Sequence, residues 1–468
     1  MTDASDERKR LGAWYTPPLL LDRVLDGVLD GLAPAATTTT RVLDPACGDG
    51  RFLVAIGDRL RRAGRLVELT GCDIDAAALG SVADPSIRLI HADALTHDWG
   101  QETFDIVVGN PPFLSQMAAV TTRGGSSRHG GGPYAGAAVE FLALAVRLAD
   151  PDGGRVGLVL PQSVLGARDA APVRARVAEL ADLTWSWWEP GQRHFDAAVN
   201  VCLLGLQRPA NDSSTSTTTP STTTRSTWTS VITDRIGVPA VDFGSLATAG
   251  ILGDRADLNA NFRDEYYALV PAVSDDADGP PLITSGLIDP ARCHWGDRTV
   301  RFAKRDFANP RVDLSKLEGR FAAWAQRKLV PKVLIANQTR IIEAVVDPDG
   351  SWLPGVPVTT ATPTGHAVDD GAGASTWAIA AVLTSPTASI AAWQHCAGTG
   401  LSTTSIRIGP ATLASLPWPA GDLATAVERV RRGDVTGCGR AVCDAYELPA
   451  ADAEAAMTWW AQRLPTDG

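Results

Sequence analysis

The sequence predicts a doubly wound α/β domain followed by a second, α+β domain, and three observations carry that prediction. From Arg41 to Leu160, short apolar runs alternate with helix-length stretches. Acidic residues and glycines punctuate the ends of those runs. Past a Ser/Thr-rich tract the alternation stops, and a basic region with several tryptophans begins. Strands that alternate with helices form a mostly parallel sheet covered on both faces.

The predicted strands are Val42-Leu43, Val67 to Cys72, Ile87 to Ile90, Phe104 to Val108, Arg155 to Leu160 and a late one from Val199 to Leu206. Helices are expected from Arg51 to Ala63 and from Ala137 to Leu148. Asn211 to Ser230 is almost wholly Ser and Thr and cannot bury apolar surface, so it reads as a linker. The expected organisation is a catalytic domain over 1–210, a linker over 211–233, a second domain over 234–420 and a helical segment over 421–468. Ala424 to Arg432 and Ala450 to Leu464 are the helices of that last segment.

At 468 residues the chain exceeds one ordinary core, and 45% hydrophobic with 20% charged residues marks a globular protein. No apolar run is long enough for a membrane helix, and the acidic start lacks the apolar centre of a secretory signal. Seven dispersed cysteines suggest reduced thiols in a cytoplasmic protein, with neither a disulfide framework nor a metal site. A net charge of -11 argues against coating nucleic acid by charge alone. A local basic surface can still steer phosphate. Between Arg298 and Arg340 there are eleven Lys or Arg residues and three acidic ones.

Chemistry is first indicated by Val42-Leu43-Asp44-Pro45-Ala46-Cys47-Gly48-Asp49-Gly50. A strand ends in an acid, and a glycine turn that lets backbone approach a ligand opens a helix. Such turns lie at the carboxyl ends of the strands, where doubly wound sheets bind ligands. There is no P-loop lysine, and the glycine spacing is not the dinucleotide fingerprint. Asp73, twenty-nine positions after Asp44, ends the next strand and is followed by Ile74. An acid there can accept hydrogen bonds from both ribose hydroxyls. Asp93, followed by Ala94, ends the third strand and is placed to bond an adenine amino group. Three acids at successive strand ends predict a nucleoside pocket.

The fourth strand delivers Asn110-Pro111-Pro112-Phe113. The prolines fix φ and remove two donors, which holds the Pro111 carbonyl in one direction. That carbonyl and the Asn110 side-chain oxygen can grip one amino group, while Phe113 offers a face to a planar ring. Two hydrogen bonds from an amino nitrogen with a delocalised lone pair favour pyramidal geometry and expose the lone pair to an activated methyl. No dedicated general base is needed.

Together these stretches resemble the gamma-class adenine-N6 DNA methyltransferases of the TaqI type, with motif order matching throughout. Gly12-Ala13-Trp14-Tyr15-Thr16-Pro17-Pro18 is similar to their amino-terminal motif, which packs over the cofactor's methionine end. The resemblance implies a class I S-adenosyl-L-methionine-dependent fold with a carboxy-terminal DNA-recognition domain. Asn110, Pro111, Pro112 and Phe113 are then catalytic. Tyr15, Thr16, Pro17, Asp44, Pro45, Ala46, Gly48, Gly50, Asp73, Ile74, Asp93, Ala94 and Asn110 hold the cofactor. Phe195, before the late strand, resembles the second aromatic that holds a flipped base. The tetrapeptide ends in Phe where many members have Tyr, and Phe keeps the stacking face. The similarity weakens beyond about residue 206, through Pro331 to Asn337 and Leu401 to Pro419.

Double-stranded DNA is the expected partner. A base within a duplex must be flipped to reach such a pocket. The loop from Ser115 to Pro133, with Arg123 and Arg128, is expected to be mobile and to close on DNA or on the flipped nucleotide. The Arg298–Arg340 region is expected to contact phosphates, with some arginines reading base edges, and Arg327, Lys328 and Lys332 are its named contacts. A monomer is expected, with any restriction endonuclease or defence-system subunit a separate chain. Protein-glutamine and RNA methyltransferases share the tetrapeptide chemistry and form one alternative; a non-catalytic DNA-binding subunit is the other.

Overall fold

The computed structural model describes residues 16–32, 38–113, 128–132, 135–192, 194–195, 199–210, 228–261, 263–364 and 376–465. The chain divides into two compact units, 1–231 and 232–468. No helix among the described residues is long and apolar enough to cross a membrane.

In the amino-terminal unit, helix α1 (Pro18–Leu29) starts with proline in its first turn, where a missing N–H costs nothing. It buries Leu20, Val24, Leu25 and Val28, one face of a helical repeat, against the sheet. The Arg155 guanidinium closes its far end by donating to the Val28, Asp30 and Gly31 carbonyls. Then follow β1 (Thr40–Asp44), α2 (Arg51–Arg62), β2 (Val67–Asp73), β3 (Ile87–His91), β4 (Ile106–Gly109) and α3 (Ala137–Leu148). The unit continues through β5 (Arg155–Pro161), α4 (Ala171–Leu180), β6 (Asp182–Trp187) and β7 (Val201–Gln207).

These strands form one seven-stranded sheet in the order β3-β2-β1-β4-β5-β7-β6. The first five pair in parallel, whereas β7 runs antiparallel to both β5 and β6. The order reverses between β1 and β4, so the crevice at their carboxyl ends is the topological switch point where such sheets bind ligands. The expected strands lie within two residues of the observed ones, and α3 has the expected bounds. Strand β6 is an addition. It is an edge strand with alternating exposure, and its Trp185 lies against Gly27 of α1 and Gly205 of β7. A Cβ at either glycine would fall within 2.1 Å of the indole.

The second unit contains a four-stranded antiparallel sheet, ordered β12-β11-β13-β8, from β8 (Ala256–Ala260), β11 (Lys332–Ala336), β12 (Ala344–Asp347) and β13 (Val358–Pro363). A separate hairpin, β9 (Val300–Phe302) and β10 (Arg305–Phe307), and helix α5 (Arg320–Lys328) share an apolar cluster with Leu269, Val312 and Leu353. Helices α6 (Thr376–Leu383), α7 (Pro386–Cys396), α8 (Ala424–Arg431), α9 (Val435–Ala445) and α10 (Ala450–Ala461) pack together. The carboxy-terminal helices therefore belong to this unit's body, and α9 is one more than the sequence suggested.

Candidate active site

The site is built where β1 and β4 end side by side. Asp44, the last residue of β1, is 1% exposed, and its Oδ1 accepts from the Ala46 N–H at 3.0 Å. Burial, with Asp73 and Asp49 nearby, raises its carboxyl to about 8. Gly109, the last residue of β4, lies directly against it: a Cβ there would stand 2.6 Å from Asp44 Oδ1. Asn110, half-buried, is the next residue, and Pro111 is buried behind it. The glycine turn and the tetrapeptide are thus locked together by one close approach.

The turn after β1 is shaped by Gly48 at φ +52° and Gly50 at φ +77°, the left-handed region open to glycine. The space that a Cβ of Gly48 would fill is empty to 4 Å. The Gly48 N–H donates to Asp73 Oδ2 at 2.7 Å, and the Asp75 N–H donates to Asp73 Oδ1 at 2.9 Å. Each Asp73 oxygen keeps accepting capacity beyond these bonds. Ile74 beside it is 60% exposed. Asp93, two residues past β3, is half-buried and accepts from the Leu95 N–H, with Ala94 buried next to it. Pro45 is buried and Ala46 half-buried in the turn itself. An uncapped glycine cradle flanked by two accepting carboxylates suits a nucleoside with vicinal hydroxyls.

Arg51, whose role the sequence did not reveal, ties the amino-terminal motif to this turn. It pairs with Asp49 at 2.6 Å and donates to the Thr16 carbonyl at 2.9 Å. Thr16 is buried, and Pro17 leads into α1. Tyr15 lies outside the described residues, as does Arg123.

Phe113 and Phe195 are brought together, but not as facing plates. Their rings meet edge to face at 79°, with centroids 5.5 Å apart. A base between two rings needs about 3.5 Å of clearance on each side. The pair is therefore closed on itself, and Phe195, 8% exposed, packs into the domain core.

The expected mobile loop is pinned at its described end. The buried Glu140 carboxylate accepts from the His129 N–H at 2.7 Å and the Gly131 N–H at 3.0 Å, and Gly132 N–H donates to the Asp169 carbonyl. Arg128 is exposed beside this anchor. Glu140 carries no sequence signal of such a role, because its partners lie in the preceding loop, nine and eleven residues away.

The expected phosphate contacts need correction. Lys332 is fully buried: its Nζ lies 2.5 Å from Asp347 Oδ2 and also donates to the Val330 and Trp352 carbonyls. It is a structural ion pair in the sheet, beyond reach of phosphate. Lys328 is half-buried and donates to Thr360 Oγ1 at 3.0 Å. Arg327 alone of the three is exposed.

The strand order and the acids at the strand ends define a class I methyltransferase fold, whose cofactor is S-adenosyl-L-methionine. Residues 2–208 match the model of the N-6 DNA methylase family. The type II methyltransferase M.CvrRI of Paramecium bursaria Chlorella virus XZ-6E is 25% identical over 181 residues, 38% of this chain and 43% of that one. The release factor glutamine methyltransferase of Bordetella pertussis is 30% identical over 167 residues, 33% of this chain and 58% of that one. The chain thus spans about half the length of these curated relatives. A type I restriction-modification methyltransferase subunit from Streptococcus thermophilus superposes with a TM-score of 0.36 at 19% identity, over 43% of this chain and 45% of that one.

Proposed function

We propose that this protein methylates the N6 amino group of adenine in double-stranded DNA. The reading is carried by the placement of Asn110-Pro111-Pro112-Phe113 at the end of β4, against Asp44 across the switch point. S-adenosyl-L-methionine, when bound, supplies an electrophilic methyl group. Asp73 would hold the ribose hydroxyls, Asp93 the cofactor adenine's amino group, and the Gly48–Gly50 turn the backbone cradle. The Thr16–Pro17 segment, fastened by Arg51, would border the methionine end.

The target amino group would donate its two hydrogens to the Asn110 Oδ1 and the Pro111 carbonyl. That geometry draws the nitrogen out of conjugation with the ring and aims its lone pair at the methyl. Phe113 would stack on the ring. Stacking returns roughly 1–3 kcal/mol per base, comparable with the few kcal/mol that flipping costs. For Phe195 to clamp the opposite face, its edge contact with Phe113 must open.

The alternative acceptor is a protein glutamine amide, which presents the same kind of delocalised nitrogen; the Bordetella pertussis relative is named for that substrate. The second unit, rich in sheet and helix and placed after the catalytic segment, favours the larger polymer. Incubation with labelled S-adenosylmethionine and duplex DNA, structured RNA or a release-factor protein decides between them. Label in adenine of the duplex supports the proposal; label confined to RNA or protein refutes it.

A further inference from the structure

Six of the eleven cations between Arg298 and Arg340 are already committed, Lys328 among them through Thr360. Arg298 pairs with Asp289, Lys316 with Asp313, Arg320 with Asp264 and Lys332 with Asp347. Arg311 stacks over Trp295 and donates to the Gly279 carbonyl. On the β9–β10 hairpin, Arg301, Lys304 and Arg305 are all exposed, and none forms an ion pair among the described residues. Arg305 lies over the Phe307 ring at 5.2 Å, a contact that leaves a guanidinium's donors available.

The hairpin presents Arg301 on the face away from the core and Lys304 at its turn, while Arg305, paired with Phe302, is exposed at the edge of the inner face. Val300, Phe302 and Phe307 turn inward and are buried, and the two phenylalanines join the core cluster beneath. Opposite faces of a strand alternate, so this anchoring directs Arg301 outward. Its cross-strand neighbour Asp306 is the ribbon's only acid. Phe302 pairs with Arg305, which leaves a two-residue turn of Ala303 at φ +50° and Lys304 at φ +65°. Turns of this kind ordinarily take Asn-Gly, because both central residues need positive φ. Here a lysine is held in a backbone conformation that disfavours it, and such local strain concentrates where a side chain serves a ligand.

We propose that this hairpin is a duplex-DNA contact, with Arg301, Lys304 and Arg305 seated on backbone phosphates. The assignment rests on the DNA reading above and goes further, because it replaces Lys328 and Lys332 with three exposed cations on a core-anchored ribbon. A basic ribbon anchored in the core complements the uniform charge of a duplex, and phosphate contacts fix register without reading sequence.

The test is fluorescence anisotropy of the full chain with a labelled duplex across salt concentrations. The variants are Arg301→Ala/Lys304→Gly/Arg305→Ala and, as a control, Lys316→Ala/Arg320→Ala, which removes exposed cations that are already paired. Each phosphate contact contributes about 0.9 to the slope of log affinity against log salt. Loss of three should flatten the slope by about 2.7, so the affinity deficit of the triple variant shrinks about 40-fold between 50 and 200 mM salt. The control should keep the wild-type slope. Lys304→Gly alone should raise the melting temperature, because glycine relieves the turn, while weakening DNA binding; a merely structural residue would not move the two in opposite directions. A triple variant with wild-type affinity and slope overturns the assignment while leaving the DNA reading intact. A wild-type chain that neither binds nor methylates duplex, or that prefers an RNA of equal length, overturns both.

Discussion

Gly109→Ala probes the contact on which the whole site depends. Gly109 has ordinary strand geometry, so its identity is set by space alone: a Cβ would stand 2.6 Å from Asp44 Oδ1 and 3.3 Å from its Cγ. Ordinary contact begins at 3.4 Å, which leaves a shortfall of about 0.8 Å. Asp44 cannot easily retreat, being 1% exposed and held by the Ala46 N–H. The end of β4 must therefore move, and Asn110 moves with it. Overpacking of this kind costs about 1–3 kcal/mol, or roughly 2–12 °C in the melting temperature of a domain this size. A displacement near 1 Å at a reacting group costs about 100-fold in rate. The expected result is a folded protein with kcat for methyl transfer down about 10- to 100-fold and cofactor affinity within a few-fold of wild type. Calorimetry with S-adenosylmethionine, thermal melting and single-turnover methylation measure the three quantities. Wild-type turnover with an unchanged melting temperature would refute the claim that Asp44 and the tetrapeptide are held by direct contact.

Three further outcomes follow from the same geometry. Lys332→Ala leaves Asp347 buried without its partner and should destabilise the second unit by about 3–5 kcal/mol; a variant as stable as wild type but weaker on DNA would restore the surface role that burial denies. The Asp44 carboxyl, raised from 3.8 to about 8, keeps its proton in the folded chain where the unfolded chain has released it, so its contribution to stability falls as pH rises across that window. Asp44→Asn should remove that part of the pH dependence, and melting temperatures that differ from wild type by a constant from pH 5 to pH 8 would contradict it. Arg51→Ala should free the Thr16 segment, seen as faster hydrogen exchange at residues 16–20 and a several-fold loss of cofactor affinity; unchanged exchange there would show that α1 alone holds the segment.

The sequence made the first unit legible because β4 and β5 are buried apolar strands, β1 to β3 carry shorter apolar runs, and the strand ends carry the chemistry. Edge strand β6 does carry the period-two alternation of a half-buried strand from Asp182 to Trp187, but it falls outside the strand–helix alternation because it pairs antiparallel to β7. Helix α9 was hidden by Gly437 and Gly439, poor helix formers; Gly439 is small because Pro386 and Trp460 pack against it. Lys332 misled for a different reason. Lysine is nearly always exposed, and its partner Asp347 meets it only when β12 folds back beside β11, where the two are paired in register. Arg51 and Glu140 act through contacts 35 and 11 residues away. In each case the missing information was tertiary: local pattern specifies a face or a turn, and not which distant group will meet it.

The central claim is that Asn110 activates an adenine amino group in duplex DNA, and the most direct test maps methylated adenine at base resolution in DNA exposed to the wild-type chain and to Asn110→Ala. Wild type should leave N6-methyladenine at a recurring sequence. The variant should leave none while retaining its fold and cofactor binding. Equal methylation by the two chains, or methylation by wild type at cytosine only, would contradict the account.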